Sequence, residues 1–307
     1  MNKLIVSSSP HIKTANDTPR IMLDVIIALL PALVAGTIIY GIRSLLVVVT
    51  CMLSAVVAEY IFNLATKKEQ TVFDLSAIIT GLILGLSLHA NAPIWQCVLG
   101  SVFGIIVVKC LFGGLGANFA NPAATARIFL LVCFSQTIAG GASPVDLKAG
   151  ATPLAVLAEG GKLPELMDML LGNRGGSIGE SCIIALIIGG AYLVIRRVIH
   201  FETPVIMIAT VFVLYLIVSG DVNTALYQVL SGGLVFGAIF MATDYVTTPI
   251  TRTGKMIFAF GAGLLTFLIR MYDKAPEGVS YAIVLMNILS PYIEGWTKPK
   301  AFGKRGK

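Results

Sequence analysis

The chain has 307 residues, 56% of them hydrophobic and 12% charged, with a formal net charge of +6 and a mean hydropathy of +0.88. Globular proteins carry roughly a quarter charged residues, so this chain cannot cover the two soluble domains that its length would otherwise suggest. Soluble enzymes and disordered scaffolds are excluded. The basic residues gather at the termini and in short loops without interleaved aromatics, which is an orientation signal in a membrane rather than a nucleic-acid surface.

Residues 1 to 20 are polar, and the apolar run that follows is too long and too punctuated for a cleaved signal peptide, so the first span is expected to stay in the mature chain. Crossing the hydrocarbon core takes about 20 residues, with shorter segments tolerated inside protein. On that basis ten helical spans are expected: Ile21 to Tyr40, Ser44 to Phe62, Leu75 to His89, Ala92 to Phe112, Pro122 to Ile138, Ser181 to Val198, Pro204 to Ser219, Leu230 to Tyr245, Lys255 to Met271 and Tyr281 to Tyr292. An even count puts both termini on one side. Placing them in the cytoplasm assigns fourteen Lys and Arg to inner segments and six to outer loops, as the positive-inside rule requires. The loop from 139 to 180 then faces away from the cytoplasm.

A faint internal repeat divides the chain into five-helix halves, 21–138 and 181–292, followed by a basic tail, 293–307. Gly81, Leu82 and Gly85 of span three match Gly233, Leu234 and Gly237 of span eight in local spacing, with Pro93, Asn121 and Pro122 answered by Pro249, Asn287 and Pro291. Five is odd, so the second half must insert upside down, giving an inverted repeat whose broken helices meet near the midplane and leave amide ends free for an anion, a polar solute or a ring.

The turn Gly113 to Asn121 enters a helix at Pro122, a favourable first helical residue. It is either a cofactor or ion cradle with Asn118 and Asn121 as donors or a tight turn between helices. Arg127 in the helix that follows needs an anionic partner or water, or else snorkels to an interface. Asp244, beside Thr243 and followed by Thr247, Thr248 and Pro249, either contacts a ligand or caps a broken helix. Asp24 and Glu59 are expected at the interfaces, and Lys109 is expected to snorkel from the end of span four. The five cysteines read as small packing residues, the alternative being a thiolate ligand for a metal centre shared with another subunit. Arg196, Arg197 and His200 form a basic inner turn, and the tail from Lys298 to Lys307 contacts headgroups or a neighbouring protein of a complex. There is no dinucleotide-binding glycine fingerprint and no iron–sulphur cysteine spacing.

The heptad Asp146-Leu147-Lys148-Ala149-Gly150-Ala151-Thr152 resembles the flavinylation signal Asp-Gly-x-Ser/Thr-Gly-Ala-Thr, whose final threonine receives FMN through its phosphate. Asp146, Gly150, Ala151 and Thr152 match, while Leu147 and Ala149 depart. The resemblance extends along the chain. Ser9-Pro10-His11 leading to Ile21-Met22 and Ala28-Leu29-Leu30-Pro31, the turn from Gly113 to Arg127, the run Phe240 to Pro249, and Glu277-Gly278 with Leu285-Met286-Asn287 are similar to the NqrB/RnfD family. One branch of that family, RnfD, belongs to the Rnf electron transport complex. The other, NqrB of the sodium-pumping NADH:quinone reductase, usually has a longer N-terminal region; the short one here favours the RnfD branch.

The resemblance implies an all-α integral membrane protein with an inverted five-plus-five repeat like that of urea transporters. It implies covalent FMN on Thr152 in the outer loop, and electron transfer between ferredoxin and NAD+ coupled to Na+ or H+ movement across the inner membrane. The implied partners are the other Rnf subunits (A, B, C, E and G), a flavin transferase and the lipid bilayer. The implied phosphodiester keeps one negative charge that a cation or helix start would stabilise, with Lys148 and Arg174 as loop candidates and Arg127 as a third if the ring reaches the repeat interface; Asn118, Asn121 and Asp244 are the further candidate cofactor contacts, and a second, noncovalent flavin such as riboflavin is left open. No residue is assigned to chemical catalysis or metal binding. The competing readings are an NqrB-like member of the quinone reductase, a urea-transporter-type channel for a small polar solute, and a structural anchor that scaffolds other redox subunits, for which replacing Thr152 would leave electron flow intact. The fold suits either class, and the acceptor heptad discriminates against the channel.

Overall fold

The computed structural model describes residues 17–138, 141–142, 149–150, 153–158, 165–172, 174–272 and 278–299. The fold is helical: α1 (Thr18–Tyr40), α2 (Ile42–Ala65), α3 (Ser76–Ser87), α4 (Ile94–Phe103), α5 (Pro122–Cys133) and α6 (Ser135–Ile138) precede a two-residue antiparallel ladder of β1 (Gly141–Ala142) with β2 (Ala149–Gly150). Then come α7 (Pro153–Ala158), α8 (Leu166–Leu171), α9 (Ile183–Ile195), α10 (Glu202–Ser219), α11 (Val222–Leu230), α12 (Leu234–Phe236), α13 (Arg252–Tyr272) and α14 (Val279–Thr297).

Four helices, α1, α2, α10 and α13, are each long and apolar enough to cross a membrane. α11 and the segment Leu234–Met241 pass that test only together, bent by 63° at the break between them. α3, α5 and α9, with 12, 12 and 13 residues, are too short to span alone at 1.5 Å per residue. The chain is an integral membrane protein. Outward-facing Val34, Ile38, Leu46, Leu53, Ile187, Ile195 and Ile217 are exposed in the isolated chain, a distribution that water would penalise and lipid does not.

Several expected boundaries shift for physical reasons. Span five ends at Cys133, because Phe134 leaves helical geometry before α6 begins. Span eight is two pieces: Ser231 is extended and Gly232 is left-handed at φ +64°, which breaks the helix between α11 and α12.

α2 packs along α3 and α4, α1 along α9, α5 along α14, and α10 along α13. Gly81 and Gly85 make the first contact possible. A Cβ on Gly81 would stand 2.5 Å from the Cys51 carbonyl oxygen, and one on Gly85 would stand 2.8 Å from Val48 Cα. In the glycines matched to them, the neighbours are different: Gly233 faces the Glu180 side chain and Gly237 faces Val279. The local spacing shared by spans three and eight therefore serves different contacts. Backbone form instead pairs span eight with span four. α4 continues as a π-helix over Gly104–Cys110 and α12 as a π-helix over Gly237–Met241, both entered through Val-Phe-Gly. Such wide turns leave carbonyls out of the ordinary ladder and mark functional regions.

Candidate functional site

One cavity of about 100 Å3 opens between the start of α1, the N-terminal ends of α3 and α5, the end of α9 and the loop after Met241. Asn121 builds one edge. Its backbone is extended, and its side-chain oxygen accepts from the Ala123 and Ala124 amides at 3.0 and 3.2 Å, two of the four donors that a helix start leaves without partners. Pro122 follows at the first helical position, where its missing N–H costs nothing. The Asn121 amide nitrogen donates to the Met241 carbonyl at 3.4 Å, tying the start of α5 to the end of the second π-helix.

Asn118 lines the same cavity and is 9% exposed, and its Oδ1 is buried without a hydrogen-bond partner. An orphaned carbonyl oxygen facing a cavity is costly in an apolar interior and fits a ligand donor. Asp244 stands across the space. Its carboxylate accepts from the Val246 amide at 3.1 Å and from the Thr247 hydroxyl at 3.1 Å, so it both shapes the turn after span eight and lines the cavity.

The chain also brings to this wall two residues that the sequence placed elsewhere. Lys109 does not snorkel: it is 2% exposed, and its ammonium donates to Glu59 Oε1 at 2.8 Å. Glu59 is enclosed by protein at 1% exposure, and it also accepts from Thr71 at 2.7 Å, which in turn accepts from Asn63 at 3.1 Å. Packing of α2 against α4 and its π extension explains both. It carries the two residues, 50 apart in sequence, to one buried level, where each charge needs the other. Ser76 at the head of α3 links Lys109 to Asp74, receiving a bond from the first and donating to the second, both at 2.5 Å. Glu59 Oε2 has no hydrogen-bond partner.

Arg127 does not join this cavity. It points to the opposite end of α5, 5% exposed, and donates to Glu180 Oε1 at 2.8 Å and to Ser177 Oγ at 3.4 Å. A small cavity bounded by Arg127, Glu180, Gly233, Phe236 and Met241 lies there. A third, enclosed by Pro153, Leu154, Arg174, Gly176, Glu180 and Gly232, adjoins it through Glu180. Arg174 is buried, donating to the Leu230 carbonyl at 2.6 Å and the Glu180 carbonyl at 2.8 Å. Burial draws its guanidinium below the ordinary value against the opposing pull of Glu180.

Asp24, at the start of α1, is 9% exposed. It accepts from Tyr192 at 2.8 Å and pairs with the half-exposed Arg196 at 3.1 Å. Cys51, Cys97 and Cys110 are buried, whereas Cys133 is exposed and Cys182 intermediate; all five are free. Of the expected attachment signal, Gly150 is described and pairs with Gly141. Asp146, Ala151 and Thr152 lie outside the described residues.

Short apolar helices, two π segments and buried charges beside cavities define a polytopic membrane protein with internal polar sites. Residues 5–303 match the NQR2, RnfD, RnfE family, and the chain belongs to it. It is 44% identical over 306 residues to the D subunit of the Na(+)-translocating ferredoxin:NAD(+) oxidoreductase complex of Acetobacterium woodii, with 98% of this chain and 95% of that protein covered. The D subunit of the proton-translocating ferredoxin:NAD(+) oxidoreductase complex of Clostridium ljungdahlii is 41% identical over 322 residues, covering 99% and 97%. The D subunit of the ion-translocating oxidoreductase complex of Stutzerimonas stutzeri is 35% identical over 330 residues, covering 94% and 93%.

Proposed function

We propose that this chain is the D subunit of an Rnf-type complex, one part of an ion-translocating oxidoreductase that passes electrons between ferredoxin and NAD+ while Na+ or H+ crosses the inner membrane. The observation that carries the reading is full-length similarity to proteins of that name together with a threonine acceptor heptad at 146–152. Two of these relatives, at 44% and 41% identity, are named for different ions, so the name does not choose between Na+ and H+. Other Rnf subunits (A, B, C, E and G) supply the remaining carriers, since this chain has neither a dinucleotide fingerprint nor iron–sulphur spacing.

FMN is attached by a flavin transferase to Thr152 through its phosphate, in a loop on the extracytoplasmic side, with both termini in the cytoplasm. Bound there, FMN supplies one- and two-electron transfer. The residues around the neighbouring Pro153 fit such a group, since the cavity beside it holds the buried guanidinium of Arg174. The chain's own part is to hold position and charge: α7 seats through Leu154 against Gly232, and the Arg127–Glu180 pair fixes the end of the connecting segment to α5.

The cavity at the start of α5 suits a noncovalent flavin such as riboflavin. It combines apolar walls with the orphaned Asn118 oxygen, Asn121 and Asp244, the mix typical of sites for flat heteroaromatic ligands. The helical contacts support the two-halves reading, because the first element of each half pairs with its counterpart (α1 with α9), as does the last (α5 with α14).

In-gel flavin fluorescence of the full chain, made with a flavin transferase, tests attachment. Wild type gives a fluorescent band after denaturing electrophoresis and Thr152→Val gives none. A dark wild-type band, with transferase activity confirmed on another substrate, refutes the attachment and returns the solute-channel reading to the front.

A further inference from the structure

The end of α9 sets two arginines beside a cavity. The helix closes in a Schellman turn: the Val198 amide donates to the Leu193 carbonyl at 2.9 Å and the Arg197 amide to the Val194 carbonyl at 3.0 Å. Arg197 is left-handed at φ +58°. Glycine is the usual residue at that place, because a Cβ makes the conformation costly. An arginine there brings a long cationic side chain to a position that the backbone would fill more cheaply without one.

The cavity has a volume of about 260 Å3 and is lined by Ile21, Asp24, Arg196, Arg197, Val198 and Tyr245. A void needs only about 10–15 Å3 to hold one water, so this one admits a group of several atoms. Asp24 is already engaged: Tyr192 donates to it at 2.8 Å, and Arg196 reaches both of its oxygens through Nε at 3.3 Å and one through Nη2 at 3.1 Å. Arg197 is exposed and has no hydrogen bond or ion pair among the described residues. One carboxylate against two guanidiniums leaves a single positive charge on the cavity wall.

The cavity also lies at a particular depth. Asp24 stands in the second turn of α1, a span of 23 residues, which at about 1.5 Å per residue is slightly longer than the roughly 30 Å hydrocarbon core. The cavity is therefore at one edge of the bilayer. Ile195, one residue before the two arginines, is 79% exposed in the isolated chain, and Tyr245 on the wall is 47% exposed. Tyrosine rings gather at headgroup level, and arginines at the ends of spans extend toward it.

We infer that the cavity bounded by Asp24, Arg196 and Arg197 binds the headgroup of an anionic phospholipid through its phosphate. Arg197 supplies the planar fork that matches phosphate oxygens. Arg196 stays on Asp24 and adds its half-exposed edge, while Ile21 and Val198 offer apolar surface to the acyl stem. Basic pockets between spanning helices are where such headgroups are held. The site goes beyond the redox reading and does not depend on it. Free inorganic phosphate has the same chemistry and is the alternative source.

The test uses the full chain in detergent micelles. Melting midpoints are measured for wild type, Arg197→Gln and Lys67→Gln with added phosphatidylglycerol, phosphatidylcholine or inorganic phosphate. Anything that binds the folded chain and not the unfolded one raises the midpoint. Phosphatidylglycerol is expected to raise it in wild type and Lys67→Gln alike, and phosphatidylcholine is expected to leave it in place. Arg197 is exposed, so its replacement leaves the fold intact; Arg197→Gln is expected to need about tenfold more phosphatidylglycerol for the same rise, the loss of one charge-assisted bond. An equal response in wild type and Arg197→Gln overturns the site. Equal weakening in Lys67→Gln and Arg197→Gln also overturns it, because a diffuse basic surface is indifferent to which exposed cation is lost. So does a rise with phosphatidylcholine that matches the one with phosphatidylglycerol, or no rise with either lipid. A rise with inorganic phosphate equal to that with phosphatidylglycerol assigns the site to free phosphate and overturns the lipid.

Discussion

The two ends of the α4–α5 region each hold a buried ion pair with a 2.8 Å contact, Lys109–Glu59 and Arg127–Glu180, but they are supported differently. Lys109 is a rotatable point charge beside the cavity at the start of α5, and its partner keeps one oxygen without a hydrogen bond. Arg127 is a planar fork that reaches both Glu180 and Ser177, and the backbone carbonyl of Glu180 is held in turn by Arg174. Both pairs border cavities, but the first leaves one carboxylate oxygen without a hydrogen bond, whereas the second fastens the connecting segment to the helix bundle.

The largest expected effect comes from removing one partner of either pair. Glu59→Ala and Glu180→Ala are each expected to cost about 3–5 kcal/mol by taking away the carboxylate that a buried cation is bonded to. Denaturant unfolding in detergent checks this. The double replacement of Lys109 and Glu59 by methionine is expected to recover most of the loss, because a well-packed apolar pair replaces two desolvated charges. A double variant as unstable as the single would show that the charges themselves hold α2 to α4.

Exchanging the cation sharpens the difference. Arg127→Lys is expected to lose about 2 kcal/mol, since lysine cannot reproduce the fork to Glu180 and Ser177. The same denaturant series reads it, and an unchanged midpoint would place Arg127 in the same class as Lys109.

Asn121→Ala removes the cap of α5 and is expected to cost about 1 kcal/mol. It also removes the tie to Met241, so hydrogen exchange is expected to quicken at Ala123 and Ala124 first. Exchange unchanged at those two amides would contradict the cap.

The smallest effect separates a neutral cap from a titratable one. Asp221 caps α11 at the surface, and its carboxyl is held below the usual range by the Thr224 hydroxyl and by the Thr224 and Asn223 amides. A carboxyl depressed by folding adds stability above its unfolded pKa and loses it as pH falls through the folded value. Acid is therefore expected to fray α11 and to leave the Asn121 cap of α5 intact; amide exchange at Asn223 and Thr224, compared with Ala123 and Ala124 across acidic pH, follows both.

What is legible in the sequence is what local chemistry writes. The apolar runs announce the spans, Pro122 after Asn121 announces the start of a capped helix, and Gly113 to Asn121 announces the turn at the cavity. The partner of Lys109 is not legible, because Glu59 lies on another helix and only the α2–α4 contact joins them; an ionisable residue in each of two apolar runs is the signal available. Arg174 can be named from the sequence only as one of the loop cations near the expected attachment heptad, and neither its burial nor the role of Glu180 is legible until α9 and the α11–α12 break close around them. The π segments also escape, since Val-Phe-Gly at 102–104 and 235–237 carries no helix-breaking residue other than glycine.

The central claim, that this membrane protein carries its redox group on the loop chain itself, is met most directly by peptide mass spectrometry of the full chain made with a flavin transferase. The account predicts that the peptide containing Thr152 gains the mass of an FMN phosphoester and that no other peptide does. A Thr152 peptide of unmodified mass, or the same gain on a different residue, would contradict it.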